Sequence, residues 1–303
     1  MTVFYRRMPR FGYLRPTSLQ QALDALDPEF PTKDQVFAGG TDLLLKLKSR
    51  EIKAPKRIID LKGIPDLDHV AWNPETGLRI GALATIAAVG KSPLVRERFR
   101  ALAEGANIIA SDQIQNRGTI VGNVCNAVNC ADSIPPLLVH DAKVICVSRA
   151  GERAVALTDF ICGPGEVALR TGELVQEIRV PPPLPGERSA YLKLAPRGRM
   201  DLSVVGAAAS LLMNGPTVAE VRIGLGSAAP TQIRALETEA LLRGKPLTAQ
   251  AIAAAAHHAA QNSTPRSSQR ASAEYRRMMV EVLVRRVLTK IAGDIAGLEK
   301  EAA

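Results

Sequence analysis

Hydrophobic positions along this chain fall into two regimes that change over near Pro181. Before that point helix-spaced and strand-like runs are mixed. Thr17-Ser18 precedes the apolar spacing Leu19, Ala22, Leu23, which predicts a capped helix that Pro28 ends. Gln35-Val36-Phe37-Ala38 reads as a short strand, and Leu43, Leu44, Leu45 and Leu47 offer one side of a helix. Arg57–Leu61 and Leu78–Ile80 read as strands of a small mixed layer. Ile86 to Ala110 is mostly helical, restarted at Ser92-Pro93, where serine can cap and proline can open a helix. Pro135-Pro136 reads as a break before the helix-like Leu137 to Ala142. Ala142–Val147 and Leu174–Val180 are strand-like. Beyond the proline-rich stretch 181–188, Ala190–Leu194, Val204–Leu212 and Val218–Leu225 predict strands. Helices are then expected near Thr231–Arg243, Thr248–Gln261 and Ser272–Ala292. Strands followed by helices is an α+β pattern.

Two glycine-bearing segments interrupt the pattern and carry the candidate chemistry. In the first, Ala38-Gly39-Gly40-Thr41-Asp42-Leu43, glycines end a strand and the helix-capping types Thr41 and Asp42 precede a helix. Strand, glycine turn and capped helix can hold a pyrophosphate, because glycine lets a ligand reach main-chain N–H groups and the helix start favours an anion. The same residues also suit a plain turn. They match neither G-x-x-x-x-G-K-[ST] nor G-x-G-x-x-G. The second segment runs Gly118-Thr119-Ile120-Val121-Gly122-Asn123 and leads through Asn126 to Asp132. So long a polar stretch between apolar segments must satisfy its backbone groups somehow. Asp132 can accept from sugar-like hydroxyls, or it or Ser133 can cap the next helix, and Asn123 can form an Asx-turn.

Taken together, these segments closely resemble the FAD-binding medium subunits of molybdenum hydroxylases. That group includes the FAD domain of xanthine dehydrogenase and the medium subunit of aerobic carbon monoxide dehydrogenase. The resemblance also takes in Ile109-Ala110-Ser111, Tyr191-Leu192-Lys193 with Arg197 and Asp201, and Arg270 to Arg277 entering the last helix. It covers nearly the whole chain. What it implies is an α+β protein with a two-lobed FAD-binding domain of the PCMH (vanillyl-alcohol oxidase-like) type over 1–180, with lobes of about 1–60 and 61–180. A linker at 181–188, a C-terminal domain of the CO dehydrogenase flavoprotein type at 189–292 and a tail at 293–303 complete the expected layout.

The resemblance also implies roles. Ala38, Gly39, Gly40, Thr41, Asp42 and Leu43 supply main-chain contacts to the pyrophosphate of FAD, with the Thr41 hydroxyl added. Gly118, Thr119, Ile120, Val121, Gly122 and Asn123 wrap its other side, and Asp132 meets ribityl hydroxyls. Ile109 covers the adenine, Leu169 packs on the flavin ring, and Lys193 lies near the reactive end of the flavin. Read without the family, Lys193 is a surface lysine snorkelling at a strand end. The implied partners are a molybdenum-cofactor large subunit, a small subunit with two [2Fe–2S] clusters, and an external acceptor such as NAD, a quinone or ferredoxin.

Composition narrows this picture in three ways. Net charge is 39 − 30 = +9, yet the cations are dispersed and only 4% of residues are aromatic, so nucleic-acid binding is disfavoured against a solvated or subunit-docking surface. No run approaches the roughly 18 apolar residues of a membrane span. Arg6-Arg7 lacks the apolar stretch of an export signal, so a cytoplasmic protein is expected. Cys125, Cys130, Cys146 and Cys162 contain no C-x-x-C pair. They prompt one alternative within the resemblance, the 4-hydroxybenzoyl-CoA reductase branch, whose medium subunit carries an extra iron–sulfur cluster on an inserted loop. No such insert lies between Asn123 and Pro136, and Cys146 falls in a strand that buries it. A stand-alone flavin oxidase of the vanillyl-alcohol type is the remaining alternative. Those chains are longer and often tether FAD to His or Cys, whereas His69, His140, His257 and His258 all lie outside both glycine segments. Adjacent on a helix, His257 and His258 diverge and make no metal pair.

Overall fold

The computed structural model describes residues 7–26, 34–198 and 200–301, with side chains to 295. Pro28 and Arg6 lie outside the described residues.

The first lobe is a parallel sheet. Its strands are β1 (Gly12–Leu14), β2 (Gln35–Phe37) and β3 (Arg57–Asp60), in the order β1-β3-β2. Helix α1 (Leu19–Ala25) starts where Ser18 accepts the Gln21 N–H, and α2 (Leu43–Ser49) follows β2. Next come β4 (Val70–Asn73) and β5 (Gly77–Gly81), then the helices α3 (Ile86–Lys91), α4 (Pro93–Arg98), α5 (Arg100–Ile108), α6 (Asp112–Gln115), α7 (Ile120–Asn126) and α8 (Ile134–Val139). Strands β6 (Lys143–Ser148) and β7 (Gly151–Ala156), helix α9 (Leu157–Phe160), the small pair β8 (Ile161–Gly163) and β9 (Glu166–Val167), and β10 (Leu174–Val180) close the lobe. An antiparallel sheet β4-β5-β10-β6-β7 backs these helices. Leu78, Ile80, Val144, Ile178 and Val180 face a common core with Phe99, Leu102, Ile120, Ile134 and Leu137.

Beyond residues 181–187 the chain forms a further, four-stranded sheet, β11 (Arg188–Leu194), β12 (Val205–Asn214), β13 (Thr217–Gly226) and β14 (Ile233–Arg234). It is covered by α10 (Leu236–Leu242), α11 (Ala249–Gln261) and α12 (Ala273–Glu301) around a core of its own. Alanines at 207 and 209 let α12 approach β12 closely, while Ala208 on the opposite face packs with Ala101 and Val139 of the first half.

Four expectations change. Strands β3 and β5, read as one layer, belong to two sheets. Pro135 and Pro136 do not break a helix but open α8, where their missing N–H groups have no intrahelical partner to lose. The helix expected from Thr231 begins only at Leu236, because Ile233 and Arg234 pair with β13 and Arg234 binds Glu239. Finally, α12 runs past 292 to Glu301, so 293–301 continues the helix where a tail was expected.

The two halves meet along a polar seam. The Tyr191 N–H donates to Glu104 Oε2 at 2.7 Å, the Ala101 N–H to Ser189 Oγ at 3.1 Å, and the Ser227 N–H to the Asn129 carbonyl at 2.8 Å. Arg222 and Arg234 both reach Asp141 at 2.8 Å, and Lys290 reaches Glu104 at 2.7 Å. His140, at the end of α8, is buried with its ring edge-on to Phe99 at 5.2 Å. Burial, then the nearby Arg222 charge, pushes its pKa down to about 4. The unfolded chain therefore binds the extra proton between about pH 6.5 and 4. Stability is complete above the unfolded value and falls as acid is added through that window, by about 3 kcal/mol. Urea melts from pH 7 to pH 4 should show that loss, and His140→Leu should flatten it; an unchanged slope in the variant would assign the acid lability elsewhere.

Candidate functional site

The first glycine segment joins β2 to α2. Its Gly40 adopts φ +79°, a region open to glycine, and a Cβ there would lie 2.2 Å from the Phe37 ring. Asp42 occupies the cap position without a side-chain cap bond. The carbonyls of Gly40 and Asp42 accept the N–H groups of Leu44 and Lys46. By contrast, among the described residues no acceptor meets the main-chain N–H of Gly39, Gly40, Thr41, Asp42 or Leu43. Five successive donors are thus left at this half-buried turn and helix start, the kind of run that can receive an anion.

The second segment closes against it. Gly118 and Ile120 bond to Ile86 and Ala84 as a short antiparallel bridge, with Ile86 N–H on the Gly118 carbonyl at 2.9 Å. Thr119 caps α7 by accepting the Gly122 N–H at 3.0 Å. A Cβ on Gly39 would lie 2.1 Å from the Arg117 carbonyl oxygen and 2.8 Å from the Gly118 Cα. The Thr41 hydroxyl lies beside Gly118 on the other flank. Lys46 ties the helices behind the loops, donating to Asn126 Oδ1 at 2.6 Å. Two loops some 80 residues apart in sequence are thus interlocked backbone to backbone.

Other candidate residues are placed as follows. Asn123 forms no Asx-turn; its Oδ1 accepts the Ser133 hydroxyl at 2.6 Å. Asp132 is no helix cap. Its buried carboxylate accepts from Tyr191 Oη and Lys193 Nζ at 2.7 Å each and from the Ser203 hydroxyl. Lys193 is no surface lysine either, since its side chain is only 1% exposed. Burial and the Asp132 charge push the Tyr191 phenol well above its ordinary pKa, so it remains a donor. Ile109, 9% exposed, ends α5 within the first core, and Leu169 packs half-buried against the same core.

Comparison with known proteins identifies the family. Residues 9–183 match the family described as FAD binding domain in molybdopterin dehydrogenase, and residues 190–291 match the CO dehydrogenase flavoprotein C-terminal domain. The chain belongs to the FAD-binding medium subunits of the molybdenum hydroxylases. It is 33% identical over 287 residues to the putative xanthine dehydrogenase FAD-binding subunit of Escherichia coli K12, covering 94% of this chain and 97% of that one. It is 33% identical over 280 residues to the carbon monoxide dehydrogenase medium chain of Hydrogenophaga pseudoflava, covering 92% and 96%. The solved carbon monoxide dehydrogenase of that organism superimposes with a TM-score of 0.88 at 34% identity, covering 93% of this chain and 97% of that chain. Quinoline 2-oxidoreductase of Pseudomonas putida 86 gives the same TM-score at 28% identity, covering 95% and 99%.

As a medium subunit the chain is an α+β, two-domain FAD-binding oxidoreductase component. The unpaired N–H groups of Gly39 to Leu43 fit the pyrophosphate of that cofactor. Sequence reading missed Lys62, whose ammonium donates to the Ala38 carbonyl of the first loop at 3.1 Å. Nothing local marks it, because a lysine after a strand usually serves the surface. Cys125 and Cys146, in α7 and β6, are neighbours, and burial, then the charge of Cys146, pushes the Cys125 thiol up. Cys130 lies before α8 and Cys162 in β8. Among the described residues no three His, Cys, Asp or Glu side chains are grouped to hold a metal. No described helix is long and apolar enough to cross a membrane.

Proposed function

We propose that this medium subunit is the electron-transfer component of a cytoplasmic molybdenum-dependent hydroxylase complex. It assembles with a molybdenum-cofactor large subunit and a small subunit bearing two [2Fe–2S] clusters. When bound, FAD supplies the redox chemistry, taking electrons from the clusters and delivering them to NAD, a quinone or ferredoxin. The observation that carries this reading is the end-to-end match: relatives covered over 96–97% of their own length are themselves named as a subunit and a medium chain. Relatives of similar identity are named for xanthine, carbon monoxide and nicotinate, so likeness to this chain selects no substrate.

Within the chain, Ala38 to Leu43 and Gly118 to Asn123 grip the pyrophosphate. Asp132 keeps acceptor capacity beyond its three present bonds for a ribityl hydroxyl. Ile109 and Leu169 give apolar cover, and Lys193 sets positive charge beside the flavin, partly offset by Asp132. A 4-hydroxybenzoyl-CoA reductase-like complex is supported less well, since among the described residues no three cysteines are grouped to hold a cluster. A stand-alone oxidase is supported least. His69 binds Glu177, His257 reaches Glu281 and His258 meets Thr238, all away from the loops.

Expressed alone, the chain should bind FAD and carry no iron. Expressed with neighbouring subunits, it should elute in one complex holding molybdenum and [2Fe–2S]. Stoichiometric iron and sulfide on the isolated chain would move the assignment to the reductase branch. A lone chain turning over substrate would overturn the subunit reading.

A further inference from the structure

Beneath the first glycine loop lies a relay that crosses the small parallel sheet. Tyr13, on β1, donates its hydroxyl to Asp60 Oδ2 at 2.6 Å. Asp60, ending β3, accepts the Lys62 N–H at 3.0 Å and the Lys62 ammonium at 2.7 Å. The ammonium then donates to the Ala38 carbonyl at 3.1 Å and lies 3.8 Å from the centre of the Phe37 ring. Burial alone would raise the Asp60 carboxyl, but the bonds from Lys62 and Tyr13 outweigh it and hold it below the usual carboxylate range. The pair is therefore ionised at neutral pH, and the bond to Ala38 is charge-assisted.

Its consequence follows from the planarity of the peptide unit. In a trans peptide the C=O of one residue and the N–H of the next point in opposite directions. Fixing the Ala38 carbonyl on Lys62 aims the Gly39 N–H away from the sheet, where no acceptor among the described residues meets it. Phe37 adds the second constraint: its ring lies under the position a Gly40 Cβ would take, and the Lys62 ammonium lies over the same ring. One lysine thus holds both sides of the turn, through a carbonyl and through a ring.

We infer that Lys62 is a positioning residue for FAD, presetting the Ala38–Gly39 peptide so that the N–H nest of the first loop exists before the cofactor arrives. Lys62 does not touch the cofactor in this role. It acts through Ala38 and Phe37, and a preset nest binds tighter because no loop ordering is needed on binding.

FAD affinity of the full chain, read by quenching of flavin fluorescence, and thermal melting of the FAD-free chain test this together. Lys62→Met should weaken FAD binding about 10- to 100-fold, the worth of one charge-assisted hydrogen bond. It should lower FAD-free melting as well, because it leaves the buried Asp60 carboxylate unpaired. The double variant Asp60→Asn/Lys62→Met, which removes that charge, should recover the melting and keep the affinity loss. Lys62→Arg, which keeps a cation able to reach the carbonyl, should recover most of the affinity. In the FAD-free protein the Gly39 amide resonance should move in the Met variant. Should Lys62→Met fail to fold, Asp60→Asn/Lys62→Met, which leaves no unpaired carboxylate, carries the same test. Parent-like FAD affinity in the Met variant or in the double variant would overturn the inference, as would an affinity that returns together with the melting temperature in the double variant. A parent chain that binds no FAD would instead overturn the cofactor assignment itself.

Discussion

Gly39→Ala should yield a folded chain that no longer retains FAD. The added methyl would lie 2.1 Å from the Arg117 carbonyl oxygen and 2.8 Å from the Gly118 Cα, and both neighbours are backbone. Neither can swing aside as a side chain would, so the loops must part. Parting them misplaces the nest and the second loop together, and the loss of two or more anion-directed bonds corresponds to at least about 100-fold in affinity. Overpacking of this kind costs about 1–3 kcal/mol of stability, which a domain of this size survives. Gly40→Ala meets only the Phe37 ring, which can give way, so despite its φ of +79° it should be the milder variant. Gly293→Ala, with open space around its position, is the control. Fluorescence titration with FAD ranks the three, and undiminished binding by Gly39→Ala would show that the loops need not touch.

The second large effect concerns the seam. Asp132→Ala strips the counter-charge from a lysine that is 1% exposed and orphans the Tyr191 and Ser203 hydroxyls. Breaking a buried ion pair from one side costs about 3–5 kcal/mol, against about 1 kcal/mol for a lost helix cap. Adding Lys193→Met should recover part of that loss, since the uncompensated cation is then gone. Urea unfolding of the FAD-free single and double variants measures the difference. A loss near 1 kcal/mol for Asp132→Ala would reduce the residue to a local role. If FAD affinity falls in the double variant while stability recovers, the carboxylate also meets the cofactor.

How much of this was legible depended on whether the signal was local. Ser18, Ser92 and Thr248 cap helices through neighbours three residues on, and sequence reading placed all three. Thr119 caps α7 in the same way, yet that stretch was read as a polar loop. The first glycine segment was legible as a loop and the second only at Gly118-Thr119, since Ile120 to Asn123 open α7, while the family resemblance was legible as a set in register. What escaped depends on contacts far apart in sequence. Ile233 and Arg234 look helical until β13 is there to pair with them. Lys193 looks like a surface cation until Asp132, 61 residues away, is folded onto it. Lys62 reaches back 24 residues to Ala38, and no spacing rule announces such a contact. The glycines themselves were read for the wrong neighbour in part. Gly39 is needed for close approach, but the approaching group in the structure is the other loop.

The seam also changes what the proline-rich stretch 181–187 is for. Orientation of the two halves is already specified by Glu104 on the Tyr191 N–H, by Asp141 between Arg222 and Arg234, and by Asp132 on Lys193. The connecting segment then contributes no direction of its own. It acts as a tether that keeps two complementary surfaces at high effective concentration. Its length and sequence are free to drift up to Gly186, while Glu187, which accepts from Ser210 and pairs with Arg222, anchors its far end on the second half. The fold is in that sense a fused heterodimer, and an insertion in this stretch would be felt far less than a single lost charge across the seam.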